Sequence, residues 1–88
     1  MVAMKVAPSY FRRKLTCAIE PTGGPGAILE TLEDCAVFMG KMHRWRQARP
    51  HWEHAAELVL KAAKTGRRAN VDAAAAQMER ALRCDGWL

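Results

Sequence analysis

The chain has 88 residues, half of them hydrophobic and 26% charged, with a formal net charge of +5. That length fits one domain with one core, because folding at this size buries only about 60% of the surface an unfolded chain exposes, and it excludes a multi-domain enzyme. The composition excludes a disordered chain, and the longest charge-free stretches, such as Pro21 to Leu29, are too short and too broken by Pro and Gly to span a bilayer.

Residues 1–9 read as a flexible N-terminus. Met1 to Ala18 carries Lys5, Arg12, Arg13 and Lys14 and no acid, but the basic cluster comes late and is followed by alternation, which is not the pattern of a secretory leader. Phe11, Leu15, Cys17 and Ile19 alternate with polar neighbours from Tyr10 to Glu20, interrupted by Arg13, and this period of two predicts a half-buried strand. Pro21-Thr22-Gly23-Gly24-Pro25-Gly26 breaks it, and a short second strand over Ala27 to Glu30 completes a hairpin. Thr31 followed by Asp34 is a capping pair, so a first helix is expected from Leu32 to His43 or Arg44, weakened at Gly40. Arg49-Pro50 opens a second helix, with Trp52, Ala55, Ala56, Val59, Ala62 and Ala63 on its buried face and Gly66 as its stop. Asn70 is expected to cap a third, with Val71, Ala74, Ala75, Met78, Ala81 and Leu82 inside, ending at Asp85-Gly86. Alanine-rich faces approach closely, so the last two helices form an antiparallel hairpin, and Trp87 and Leu88 fold back onto the core or lie along a strand edge. The fold class is α+β, a β-hairpin followed by three helices.

Three cysteines, Cys17, Cys35 and Cys84, are odd in number and widely spaced. This predicts a reducing, cytoplasmic setting, with all three serving as small apolar residues in packed positions.

The run Trp45, Arg49-Pro50, Ala63-Lys64-Thr65-Gly66, Met78-Glu79-Arg80-Ala81-Leu82 and Gly86-Trp87 resembles a small bacterial family of domains of unknown function, number nine-eight-two. The resemblance covers the chain from about Thr16 onward and implies a strand pair, a helix ending in Trp, a helical hairpin and a terminal Gly-apolar pair. Trp45 is followed by Arg46 where the family has Pro, and Ala74-Ala75 stands where the family opens its last helix with Ala-Arg. The family has no established activity, so the resemblance implies an architecture and no active site.

Residues with catalytic or metal-binding chemistry are present but poorly spaced for it. His51 and His54 lie three apart on a helix with Glu57 one turn on, which is neither HExxH nor half of a di-iron helix pair, and His43 stands alone. Ser9, Thr16, Thr22, Thr31 and Thr65 occupy no nucleophile turn. The Gly23-to-Gly26 run lacks phosphate-loop spacing, and its proline removes a donor. The expectation is a non-enzymatic domain with no metal and no cofactor.

The basic residues fall into groups: Arg12, Arg13 and Lys14; Lys41, Arg44, Arg46 and Arg49 around Trp45; and Lys61, Lys64, Arg67 and Arg68. With a sequence pI near 9.6 they suit acidic partners, and the groups around Trp45 and Gly66 allow a nucleic-acid reading in which Lys64, Arg67 and Arg68 contact phosphates. Two of the groups also fall at helix C-termini, where cations complement the dipole without any ligand. A helix-turn-helix is disfavoured, since Thr65 to Asn70 is too long a turn and the following helix offers Asp72 and alanines to base edges. The favoured reading is a protein-interaction or regulatory module, with a homodimer as its default form. Its expected surface comprises Trp45, Trp52, Trp87, Arg44, Arg46 and Arg49, because so small a core cannot easily cover three indoles.

Overall fold

The computed structural model describes residues 10–88; the expected flexible N-terminus at residues 1–9 lies outside the described residues. Two antiparallel strands, β1 (Lys14–Ile19) and β2 (Leu29–Thr31), precede four helices: α1 (Leu32–Gly40), α2 (Arg44–Gln47), α3 (Pro50–Thr65) and α4 (Arg68–Cys84). The α+β plan with a terminal helical hairpin therefore holds, with α2 as an added turn of helix.

β1 is shorter than the alternation predicts, because the residue that interrupts it, Arg13, closes a turn by donating its amide to the Tyr10 carbonyl. Pairing starts at Lys14 opposite Thr31 and reaches Ile19 opposite Leu29, so residues 15–18 of β1 face Glu30 alone on β2. Leu15 and Ile19 are buried while Cys17, expected on the same face, is exposed. An irregular register of this kind breaks the strict two-residue period. β2 lies one or two residues later than expected because its chain runs directly into the α1 cap.

Thr31 forms a complete capping box, its Oγ1 accepting from the Asp34 amide while Asp34 Oδ2 accepts from the amides of Glu30 and Thr31. α1 then ends at Gly40 and not at His43 or Arg44, because His43 is extended and starts a new turn. Gln47 spans this break, its Nε2 donating to the carbonyls of Met39 (2.8 Å) and Met42 (3.1 Å). α3 opens on Pro50 and closes on Gly66 in the left-handed conformation (φ +67°), as the sequence predicts. A side chain at Gly66 would also meet the Tyr10 ring at 2.7 Å. Reversal there is so tight that α4 starts at Arg68, and Asn70 is not its cap; Asn70 Nδ2 donates instead to Thr65 Oγ1 at 2.7 Å.

Ala55, Ala62 and Ala63 of α3 and Ala74 and Ala81 of α4 are fully buried, as a close helical hairpin requires. Leu15, Leu29, Leu32, Phe38, Val59 and Met78 fill the space between this hairpin, α1 and the strands. Phe38 joins the core although it lies off the α1 stripe of Leu32, Cys35, Ala36, Met39 and Met42 that helical spacing predicts, and Ala56, expected inside, is exposed. Cys84 is exposed as well, so of the three thiols only Cys35 is a packed residue. The C-terminus folds back: the Trp87 carbonyl accepts from the Thr22 amide at 2.7 Å, and the ring lies on Gly23 and Gly24. No helix among the described residues is long and apolar enough to cross a membrane.

Candidate functional site

Asp85 follows the last residue of α4, where its backbone caps the helix and its side chain turns toward the start of α3. The carboxylate is closed off from solvent and accepts from Trp52 Nε1 (2.7 Å) and Arg46 Nη1 (2.7 Å) on Oδ2. His51 Nε2 lies 3.0 Å from Oδ1, and Arg49 approaches the same oxygen at 3.7 Å. Opposite an acceptor-only carboxylate, Nε2 is the protonated ring nitrogen of His51. Removal from water raises the pKa of this carboxyl, but the hydrogen bonds from Trp52, Arg46 and His51, with the His51 charge, hold it below its ordinary value. The charged form is thus satisfied from several sides, as a buried charge must be. Gln77 backs the arrangement by donating to the His51 carbonyl at 3.1 Å.

Around this hub the aromatic rings are layered. Trp52, Trp87 and Phe38 have ring centroids 6.1–6.2 Å apart in tilted and edge-on contacts, a favourable geometry for rings with negative faces and positive edges. The Arg46 guanidinium covers the Trp87 ring at 4.5 Å and the Trp45 ring at 4.7 Å, so it is held between two indoles while it pairs with Asp85. A planar, weakly hydrated guanidinium suits this position where an ammonium would not. Arg49 lies over Trp45 as well, at 5.2 Å. Trp45 ends the series with 56% of its surface exposed.

The six residues expected to form an interaction surface therefore separate. Trp52 is a core residue, 1% exposed, with its indole N–H committed to Asp85. Trp87 is half-buried between the core, Arg46 and the β1–β2 loop. Arg46 is mostly covered and ion-paired. Trp45, Arg44 and Arg49 remain at the surface, and Lys41, His43 and Pro25 join Trp45 around a shallow recess of about 400 Å³.

The phosphate-contact candidates lie at the other end of α3. A helix of 16 residues is about 24 Å long, so Lys64 and Arg67 do not share a patch with Trp45, and the groups around Trp45 and Gly66 do not form one surface. Arg68 is engaged within the fold, donating to the Lys14 carbonyl at 2.9 Å and lying 3.9 Å from Asp72.

His51 belongs to the Asp85 hub, while His54 pairs loosely with Glu57 at 3.7 Å, so the two histidines do not share a site. Among the described residues no group of three or more His, Cys, Asp or Glu side chains is placed to hold a metal ion. Every buried side-chain polar atom described has a hydrogen-bond partner. The sequence reading missed Asp85, taken only as a helix stop, and Gln77. One signal was present for Gln77: it falls three residues after Ala74 and four before Ala81, a polar residue on a buried stripe.

Comparisons with protein-family models, with curated proteins and with solved structures give no match for the chain.

Proposed function

We propose that this is a non-enzymatic protein-interaction module whose contact residue is Trp45, presented on the stacked guanidinium groups of Arg46 and Arg49. The single observation that carries the reading is an indole 56% exposed at a point where the fold has fixed its orientation through Arg46, Trp87 and Asp85. A large apolar side chain held in one position loses little freedom on binding, and it has the area and polarity of an interface anchor. Arg44, Arg49 and Lys41 around it favour a partner with acidic character. One feature of the Asp85 hub supports a scaffold role over a catalytic one: its members satisfy one another. The nucleic-acid reading has less support, because the second basic group lies at the far end of α3 and Arg68 is used within the fold.

Site-specific incorporation of a photo-crosslinking phenylalanine analogue at position 45, in the organism that makes the protein, tests this reading. The expected result is a discrete protein adduct, of another chain or of a second copy, that is lost when the probe is moved to the exposed α4 position Ala76. Adducts to nucleic acid, or none above that control, would overturn it.

A further inference from the structure

A second surface feature lies beside Trp45 and differs from it in charge. Between α1 and α3 runs a groove of about 700 Å³, within the size range of small binding sites. Its floor is Met39, Met42 and Val59, and Ala36, Ala56 and Leu60 wall it. Gly40 leaves one end open: a side chain built there would meet nothing within 4 Å. Among the described residues, the only charged ones lining the groove are Glu53 and Glu57, one turn apart on the same side of α3, in a chain of net charge +5. Leu60 is 44% exposed on it, which leaves an apolar wall uncovered.

The two features complement each other. Trp45 with Arg44 and Arg49 is aromatic and cationic; the groove is apolar, floored by adaptable methionines and edged by carboxylates. They are also adjacent, because Met42 lines both the groove and the recess beside Trp45. Two adjacent, mutually complementary patches on one molecule can meet their counterparts on a second copy around a two-fold axis, each patch docking on the other. One buried indole covers only about 150–250 Å², well short of the roughly 800 Å² per copy that a stable pair needs. Reciprocal docking engages both features of each copy at once and closes the assembly at two chains.

We infer that the protein forms a two-fold homodimer in which Trp45 of each copy enters the α1–α3 groove of the other, with Arg44 and Arg49 meeting Glu53 and Glu57. This rests on the proposal that Trp45 is a contact residue, and it names the partner as a second copy and the seat as the groove.

Sedimentation equilibrium of the full chain across the micromolar range provides the test, with two variants and their mixture. Trp45→Ala removes the inserted ring. Gly40→Leu adds a bulky side chain at a residue that lines the groove and has open space around it, and replaces glycine by a better helix former. The wild type should sediment as a dimer, and each variant should weaken dimerisation at least tenfold while keeping the wild-type circular dichroism. An equimolar mixture of the two should recover pairs, more weakly than the wild type, because the Trp45 kept by one chain meets the open groove kept by the other. A mixture no more associated than its separate components would overturn the groove as the seat of Trp45, and a monomeric wild type would overturn the self-pairing. Neither outcome touches the crosslinking test of Trp45 as a contact for another protein, so the two ideas fail separately.

Discussion

At Asp85 one carboxylate gathers side chains from α2, from the start of α3 and from the α2–α3 turn, positions 33 to 39 residues away in sequence. Its pKa in the folded protein lies below the ordinary 3.8: burial raises it, and the hydrogen bonds of Trp52, Arg46 and His51 outweigh burial. A carboxyl with a depressed folded-state pKa contributes stability that is fully present above its unfolded value and is lost as pH falls through the folded one. Thermal melts should therefore show a decline on acidification below about pH 4 that is shallower in Asp85→Asn. That variant should also lose about 2 kcal/mol at neutral pH, since it leaves the partly covered Arg46 against a neutral partner. Parallel acid profiles for the two proteins would contradict the account. Burial, with the nearby Asp34 charge, pushes the Cys35 thiol up to about 12, whereas Cys17 and Cys84 are exposed. Native-state labelling by a thiol reagent, read by mass spectrometry, should mark Cys17 and Cys84 and reach Cys35 only on unfolding. Of this residue-level detail only the packed position of Cys35 was legible in the sequence. Cys17 depends on an irregular strand register, and Asp85 on contacts that local spacing does not encode.

The elements were more legible, and the reason is locality. The Thr31–Asp34 box, Pro50 at the start of α3 and Gly66 at its end all act within four residues, so the chain itself displays them. The start of α4 was misplaced because the reversal at Gly66 needs no polar cap, and the α1–α2 break was missed because Gln47 satisfies its open carbonyls from further along the chain. The loop at Gly23-Gly24 combines both kinds of information. As a turn it could be read from composition, but its second role is to lie under Trp87, 63 residues beyond Gly24. Gly24 has φ +70°, and a side chain there would come within 2.7 Å of the Trp87 ring; Gly26 has φ +74° and no ring beside it. Both alanine substitutions carry the left-handed cost of about 1–2 kcal/mol. Gly24→Ala should exceed Gly26→Ala by about 1–2 kcal/mol in urea denaturation because it also displaces the indole. Equal losses would mean that the loop does not support Trp87.

For the whole molecule, three tryptophans were more than the expected core could cover, and the structure answers with a division of labour. Trp52 is buried, Trp87 closes the C-terminus over the β1–β2 loop, and Trp45 is left outside on a rigid arginine stack. The basic groups around Trp45 and Gly66, candidates for nucleic-acid contact in sequence, stand at opposite ends of α3, while an apolar, acid-edged groove invisible to composition lies next to the exposed indole. Its walls come from separate helices, and Ala56 and Gly40 shape it by being small. The central claim is that Trp45 makes contact with a second copy of the chain while Trp52 and Trp87 are held within the fold. Fluorine resonance spectra of protein labelled with 5-fluorotryptophan, recorded from dilute to concentrated solution, test it most directly because each indole reports separately. The account predicts that the Trp45 signal shifts and broadens with concentration more than those of Trp52, which lines the groove, and Trp87, which lines the recess beside Trp45. A Trp45 signal that is unchanged throughout, or movement confined to Trp52 or Trp87, would contradict it.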